Sequence, residues 1–208
     1  MIKGIHSKYE SPVRFTPLAV AALAAAGYFL DAYILTSLII AAVVHELGHI
    51  IALKASHFRI NGFAAELGGL RIDYSGETAP AFHALAALAG PLAGLGFAFL
   101  CSFLARVTGI SWFALTAGIS LALSLFNLLP VLPLDGGRTL AAVLSAIMGR
   151  IRAEKVTHCV GRCFSFILLA VGLWLYLRRG GVWLMLFAVY FILSSIEKTE
   201  EVMYNTKG

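Results

Sequence analysis

Two histidines and a glutamate stand in a pattern that binds a metal and activates water: His45-Glu46-Leu47-Gly48-His49. Residues four apart lie on one face of a helix, so both imidazoles can reach the same metal ion. Glu46 follows the first histidine and can accept a proton from a metal-bound water. Zinc lowers the pKa of such a water to about 7, which makes hydroxide available near neutral pH. The pattern therefore predicts hydrolytic metal chemistry with Glu46 as the general base.

This short pattern could arise by chance, but it lies inside an apolar segment. Each ionisable side chain in a membrane helix costs about 3 kcal/mol on insertion scales, and such side chains usually face a polar interior. Three of them within five residues would be costly without a function. The surroundings of the motif therefore favour a metal site over chance.

A catalytic zinc usually has three protein ligands and a water, so one ligand is missing from the motif. Asp135 is the best candidate, because it follows two prolines that end a helix and precedes Gly136-Gly137, where the backbone can turn tightly. Such a loop could present its carboxylate near the motif helix. Alternatively, Asp135 caps the next helix. The residues alone leave both interpretations open.

The composition indicates a membrane protein, since 60% of the residues are hydrophobic and 13% are charged. Soluble domains contain roughly half apolar and a quarter charged residues. We expect one membrane domain over residues 1–208, in contact with the lipid bilayer. The net charge of +5 comes from clusters between apolar runs. Since a nucleic-acid interface needs a continuous basic face, no nucleic-acid partner is expected.

The apolar runs predict an all-α polytopic fold with about six transmembrane helices, given that about 20 residues cross a bilayer. The candidate spans are about 15–30, 33–53, 82–105, 112–129, 163–177 and 182–196. Gly68-Gly69 lies between two short extended pieces and predicts a small β-hairpin at Phe63–Tyr74, between helices two and three. A short amphipathic or re-entrant helix is expected at Thr139–Met148 and a charged loop at Arg150–Arg162.

The basic residues predict the orientation, because cytoplasmic loops of membrane proteins are rich in lysine and arginine. With a cytoplasmic N-terminus and six crossings, thirteen basic residues lie on the cytoplasmic side and only Arg106, Arg178 and Arg179 on the far side. We therefore expect a multi-pass protein of the bacterial cell membrane, with both termini and the active site towards the cytoplasm.

The HELGH motif on one helix and NLLPVLPLDGG after a later helix resemble the site-2 protease family of intramembrane metalloproteases, most of all its sporulation branch. Ala89-Gly90-Pro91 and the glycine-bearing hairpin agree with this. The resemblance is good over Tyr33–Arg138 and looser over the flanking helices. It implies that zinc is bound by the two motif histidines and Asp135, that Glu46 is the catalytic base and that Asn127 contacts the substrate.

Two features depart from the family pattern. Gly94 stands where the family often has a polar residue, so one polar contact near the site is expected to be missing, while Gly90 and Gly94 allow close helix approach. No PDZ or CBS domain is expected in the chain. Asn127 could alternatively hydrogen-bond a neighbouring helix.

The family resemblance implies a zinc endopeptidase that cleaves a membrane-associated or membrane-spanning protein. A pro-sigma or anti-sigma factor is one candidate substrate, and a membrane regulator is a candidate partner. A zinc transporter or a catalytically inactive membrane scaffold are the alternatives. Transport would need polar groups along several helices, and an inactive scaffold would not need Glu46. The other histidines, His6, His57, His83 and His158, are expected at the surface or at interfaces.

Overall fold

The computed structural model describes residues 13–15, 27–55, 59–66, 69–75, 80–178, 181–182 and 184–193. The elements are, in chain order, strand β1 (Val13–Phe15), helix α1 (Ala32–Ala55), strands β2 (Arg59–Glu66) and β3 (Gly69–Ser75), and helices α2 (Pro80–Thr108), α3 (Ser111–Asn127), α4 (Asp135–Met148), α5 (Arg150–Leu177) and α6 (Leu184–Leu193).

Helices α1, α2 and α5 are long and apolar enough to cross a membrane, whereas α3 and α6 are shorter apolar helices. Large apolar side chains are exposed along all five of them, as expected where a bilayer is the surrounding solvent. The protein is thus an integral membrane protein with three full-length spans in the described part, and the six expected spans are not confirmed. The first expected span, 15–30, falls largely on residues 16–26, outside the described residues, and Phe15 belongs to a strand.

A small sheet has the strand order β1-β2-β3, in which β1 precedes α1 in the chain and β2 and β3 lie between α1 and α2. β2 pairs antiparallel with β3, from Arg59 opposite Ser75 to Glu66 opposite Gly69, with an irregularity between Ile60 and Gly62. β1 adds to the other edge of β2 in parallel. Among the described strands, the outer edge of β3 has no partner. No local sequence pattern indicates β1, because its partner residues in β2 lie about fifty residues away.

Helices α1, α2 and α3 pack closely through small and hydroxyl-bearing residues. A Cβ added at Gly48 of α1 would lie 2.5 Å from the carbonyl oxygen of Ala89 in α2. The hydroxyl groups of Ser37 and Thr116 share a buried 2.9 Å hydrogen bond between α1 and α3. Small residues and interhelical hydroxyl bonds are the usual means of helix association in membranes, where apolar contact alone gives little net attraction.

The second half of the chain corrects two expectations and narrows a third. Residues 150–162 were expected to form a charged loop but are the first part of α5. At 1.5 Å per residue, α5 is about 42 Å long, more than the roughly 30 Å hydrocarbon core, so its basic first turns can stand in water without leaving the helix. Helix α4 begins at Asp135, four residues before the expected start. His158 is buried within α5, so of its two expected positions the surface is excluded.

Candidate metal centre

Three side chains from two helices meet at a buried point of the molecule. His45 and His49 lie one turn apart on α1, and Asp135 is the first residue of α4. Oδ2 of Asp135 lies 3.0 Å from Nε2 of His45 and 3.2 Å from Nε2 of His49, and the two nitrogens are 3.3 Å apart. All three residues are buried. The structure therefore brings together the three residues that the sequence singled out as ligands.

The spacing of these atoms fits a tetrahedral metal site. Zinc holds nitrogen and oxygen ligands at about 2.0 to 2.1 Å, which separates two tetrahedral ligands by about 3.3 Å. Nδ1 of His49 is 2.8 Å from the carbonyl oxygen of Ala86, to which it donates its proton. In the neutral imidazole, Nε2 then carries a lone pair and faces another acceptor, the Asp135 carboxylate. Facing acceptors of this kind favour a cation between them, so the donor set suits a divalent metal.

The Asp135 carboxylate is ionised at neutral pH. Burial by itself raises the pKa of Asp135, but the adjacent His45 and His49 side chains outweigh burial and lower that pKa to about 2. The second oxygen, Oδ1, lies 3.9 Å from Nη1 of Arg138, one helical turn along α4. Asp135 therefore presents a charged oxygen to the histidines while a cation lies near its other oxygen.

Glycines allow the parts of the centre to approach each other. A Cβ at Gly90 of α2 would overlap the His49 ring, so that ring lies directly against the α2 backbone. A Cβ at Gly136 would meet the carbonyl oxygen of Leu128, and one at Gly137 would lie 2.6 Å from the backbone of Val131. The loop before Asp135 is thus folded back on the first turn of α4, which requires glycine at both positions.

The ligand loop, residues 128–134, packs against helices α5 and α6. Its buried side chains are Val131 and Leu134, which pack in one cluster with Phe191 of α6. On the α5 side, Gly161 faces the loop, and a Cβ there would lie 3.5 Å from Cα of Val131. Phe191 could not be predicted from the sequence, because one phenylalanine in an apolar helix carries no distinguishing signal.

Two further residues were predicted to act at the centre, Glu46 and Asn127. Glu46 is half-buried on α1, and its carboxylate is close enough to His49 to interact with it electrostatically. Asn127 is the last residue of α3, and its Nδ2 donates to the carbonyl oxygen of Leu123 in the same helix at 3.0 Å. A substrate contact of Asn127 remains a prediction.

One polar group of this region is not predicted by any sequence motif. Oγ1 of Thr139 is buried and has no hydrogen-bond partner in the described part of the chain. Thr139 follows Asp135 by four residues and so lies on the same face of α4. Nδ1 of His45 is likewise buried without a partner among the described residues, in contrast to Nδ1 of His49.

Comparison with known proteins agrees with this geometry. The profile of peptidase family M50 matches residues 104–171, a span that contains Asp135 but not the two histidines. A zinc metalloprotease of Methanocaldococcus jannaschii is 30% identical over 146 residues, covering 65% of this chain and 41% of the relative. Stage IV sporulation protein FB of Bacillus subtilis is 29% identical over 138 residues, covering 64% of this chain and 48% of the relative.

Among solved structures, a site-2 protease from Methanocaldococcus jannaschii superposes with a TM-score of 0.68 at 20% identity, covering 91% of this chain and 92% of that chain. The fold and the site thus define an integral membrane protein with two histidines and one carboxylate at a candidate metal centre. The chain therefore has the fold of a site-2 protease, and its residues 104–171 match peptidase family M50. It spans about two-fifths to one half of the length of the curated relatives described above.

Proposed function

We propose that this protein is a zinc-dependent intramembrane endopeptidase, which hydrolyses a peptide bond in or beside a membrane segment of another protein. The convergence of the His45, His49 and Asp135 ligand atoms within 3.0 to 3.3 Å carries this proposal. Zinc held there would supply Lewis-acid activation of water and of the scissile carbonyl. Glu46 accepts a proton from the attacking water and passes it to the leaving amine nitrogen, so the peptide bond breaks and one water is consumed.

The test compares a substitution of the proposed base, Glu46, with a substitution of a proposed ligand, Asp135. Glu46→Gln removes the proton acceptor but keeps the shape, so cleavage should fall by at least 100-fold while zinc content stays near one per chain. Asp135→Ala removes a ligand, so zinc content should fall together with cleavage. Cleavage by Glu46→Gln at near the wild-type rate would contradict the base role. Full zinc content and activity in Asp135→Ala would remove Asp135 from the site.

Zinc flux and cleavage assays on the same purified protein distinguish the alternative functions. Reconstituted in liposomes with zinc on one side, a transporter would move the metal, and a scaffold would neither move it nor cleave a peptide. We expect metal-dependent cleavage of a membrane-inserted substrate without zinc flux. A pro-sigma or anti-sigma factor is the first substrate class to test, because the chain is similar to a sporulation protein. Zinc flux without cleavage of any membrane substrate would favour the transporter.

Asn127 is proposed to contact the substrate backbone, since it ends α3 just before the ligand loop. Its Nδ2 is bonded to its own helix, so Oδ1 is the atom proposed to accept a substrate N–H. Asn127→Ala should lower kcat/KM about tenfold and leave zinc content unchanged. An unchanged kcat/KM would show that Asn127 does not contact the substrate and only ends its helix.

The outer edge of β3 is proposed to pair with an extended substrate, because an exposed strand edge recruits peptides through backbone hydrogen bonds. Alternate N–H groups of residues 70–74 point away from β2. Proline removes such a donor. Proline substitutions at the outward positions should reduce cleavage without changing zinc content or thermal stability, whereas those facing β2 should also destabilise the protein. Equal cleavage by all outward-position variants would refute strand pairing.

The site is proposed to open towards the cytoplasm, on the basis of the distribution of basic residues. Single cysteines can be placed at Ser145 in α4 and at Ser111 at the start of α3, after the three native cysteines are replaced. An impermeant thiol reagent added to intact cells should label the cysteine at position 111 and spare that at position 145. The opposite labelling pattern would reverse the orientation.

A further inference from the structure

An open groove of about 740 Å³ runs along the pair of helices α2 and α3, away from the metal centre. Small residues form its floor, among them Ala98, Ala105, Ala117 and Gly118, and Arg106 lies at one end. Gly118 shows how much room is left, since a Cβ added there would have no atom within 4 Å. Phe99, which lines the groove, is 81% exposed, so this face lies against the bilayer.

The length of the groove matches one leaflet. Its α2 residues run from Leu95 to Arg106, which is about 16 Å at 1.5 Å per residue. The hydrocarbon core is about 30 Å thick, so the groove covers about half of it. Arg106 lies in the last turn of α2 and therefore at the membrane surface. A partner transmembrane helix would need a surface along the whole thickness, whereas a lipid occupies a single leaflet.

The charge at the surface end indicates an anionic headgroup. Arg106 has no ion pair with any residue in the described part of the chain. Arg178 directly follows α5 on the same predicted side of the membrane, but its guanidinium lies 5.6 Å from the centre of the Trp174 ring. A guanidinium binds phosphate with two parallel hydrogen bonds, so Arg106 is suited to a phosphate at the interface.

We propose that this groove binds one anionic phospholipid, with an acyl chain along α2 and α3 and the phosphate on Arg106. The lipid fills the space that the small side chains leave and supports the far half of the helix pair. This site is separate from the metal centre, so it does not depend on the proposed proteolysis.

The first test measures headgroup preference by native mass spectrometry of the full chain in neutral detergent. Phosphatidylglycerol and phosphatidylcholine with the same acyl chains are titrated side by side. We expect phosphatidylglycerol to bind more tightly, and Arg106→Gln to weaken its binding about fivefold, the effect of one interfacial basic residue. Arg178→Gln is the matched control and should keep the preference. Equal binding of the two lipids by the wild type, or equal losses in both variants, would overturn the proposal.

The second test fills the groove. Gly118→Leu places a side chain in it, and Gly96→Leu is the matched control, because a Cβ at Gly96 also meets no atom within 4 Å but Gly96 does not line the groove. Gly118→Leu should lower the binding of both lipids and Gly96→Leu should not, with unchanged elution in size-exclusion chromatography for both. If Gly118→Leu instead dissociates a dimer and leaves lipid binding intact, the groove is an interface between two copies and the lipid proposal fails.

Discussion

Small residues have opposite effects on helix packing in the two halves of α2. In the half near the metal centre, a Cβ at Gly90 would overlap the His49 ring and one at Gly94 would overlap the Ser124 hydroxyl. In the far half, Ala98 and Ala105 line the groove, and a Cβ at Gly118 on the neighbouring helix would meet no atom within 4 Å. Small residues thus bring helices into contact in one half and leave a groove in the other.

The difference lies in what the neighbouring helices contribute. Near the centre, the Ser120 hydroxyl donates to the carbonyl oxygen of Gly94 at 2.8 Å, and the Ser124 hydroxyl donates to the carbonyl oxygen of Ser120 at 2.8 Å. The first of these bonds ties α2 to α3 where α2 also supports His49, and the second holds the Ser124 side chain against its own helix. Ligands of a metal must be held within a fraction of an ångström by such surroundings, so dense packing is expected there and is dispensable in the far half.

The largest effect is expected from Gly90→Ala. The added methyl group occupies the position of the His49 ring, so the imidazole must move or the helices must separate. Metal affinity should fall by about 10- to 100-fold, as for other losses of support around metal ligands. The metal affinity of the variant is measured by competition with a chelator of known affinity.

Gly96→Ala is the control, because the same substitution in the same helix meets nothing there. It should leave metal affinity unchanged and thermal stability equal or slightly higher, since alanine favours helices more than glycine does. If both variants lose metal to the same extent, the contrast between the two halves of α2 is wrong.

A smaller effect is expected from Phe191→Ala in α6. Phe191 packs with Val131 and Leu134, and Leu134 directly precedes the proposed ligand Asp135. Removing the ring leaves a cavity behind the loop, so Asp135 is held less firmly. Metal affinity should fall about tenfold, and the absorption spectrum of the cobalt-substituted protein should change because it reports ligand geometry.

Phe187→Ala is the matched control for Phe191→Ala. Phe187 lies one turn earlier on α6, stacks on Phe191 and is 44% exposed, but it does not belong to the cluster behind the loop. Phe187→Ala should lose little metal affinity. Phe191→Leu should retain most of the metal affinity that Phe191→Ala loses. If the cobalt spectrum is the same in both alanine variants, Phe191 contributes to packing but does not position Asp135.

The candidate site could be predicted further from the sequence than its supports. The histidine spacing and the Pro–Gly segment fix local geometry, so the three proposed ligands could be named from short motifs. Contacts such as Phe191 with Val131, or Gly90 with His49, join distant parts of the chain through residues of ordinary type, and no local pattern marks them.

The departure at Gly94 shows how the structure accommodates a change in the motif. The sequence indicated a missing polar contact at this position, where the resembling family often has a polar side chain. In the structure, the hydroxyl of Ser124 from α3 occupies the space where a side chain at position 94 would begin. A polar group is therefore present, but it comes from the neighbouring helix, which the spacing within α2 could not indicate.

Gly94→Ala should have the smallest effect of the three, because the obstacle is one hydroxyl group rather than a ring that binds metal. The Ser124 side chain can rotate away, at the expense of its hydrogen bond to Ser120. We expect a loss of about 1 to 3 kcal/mol in stability, typical of overpacking, and less than tenfold in metal affinity. The double variant Gly94→Ala with Ser124→Ala removes the obstacle and should recover most of the lost thermal stability, while Ser124→Ala alone loses little. If the double variant is as unstable as the sum of the two single variants, Ser124 does not fill the space at Gly94, and the close packing of this half of α2 has another cause.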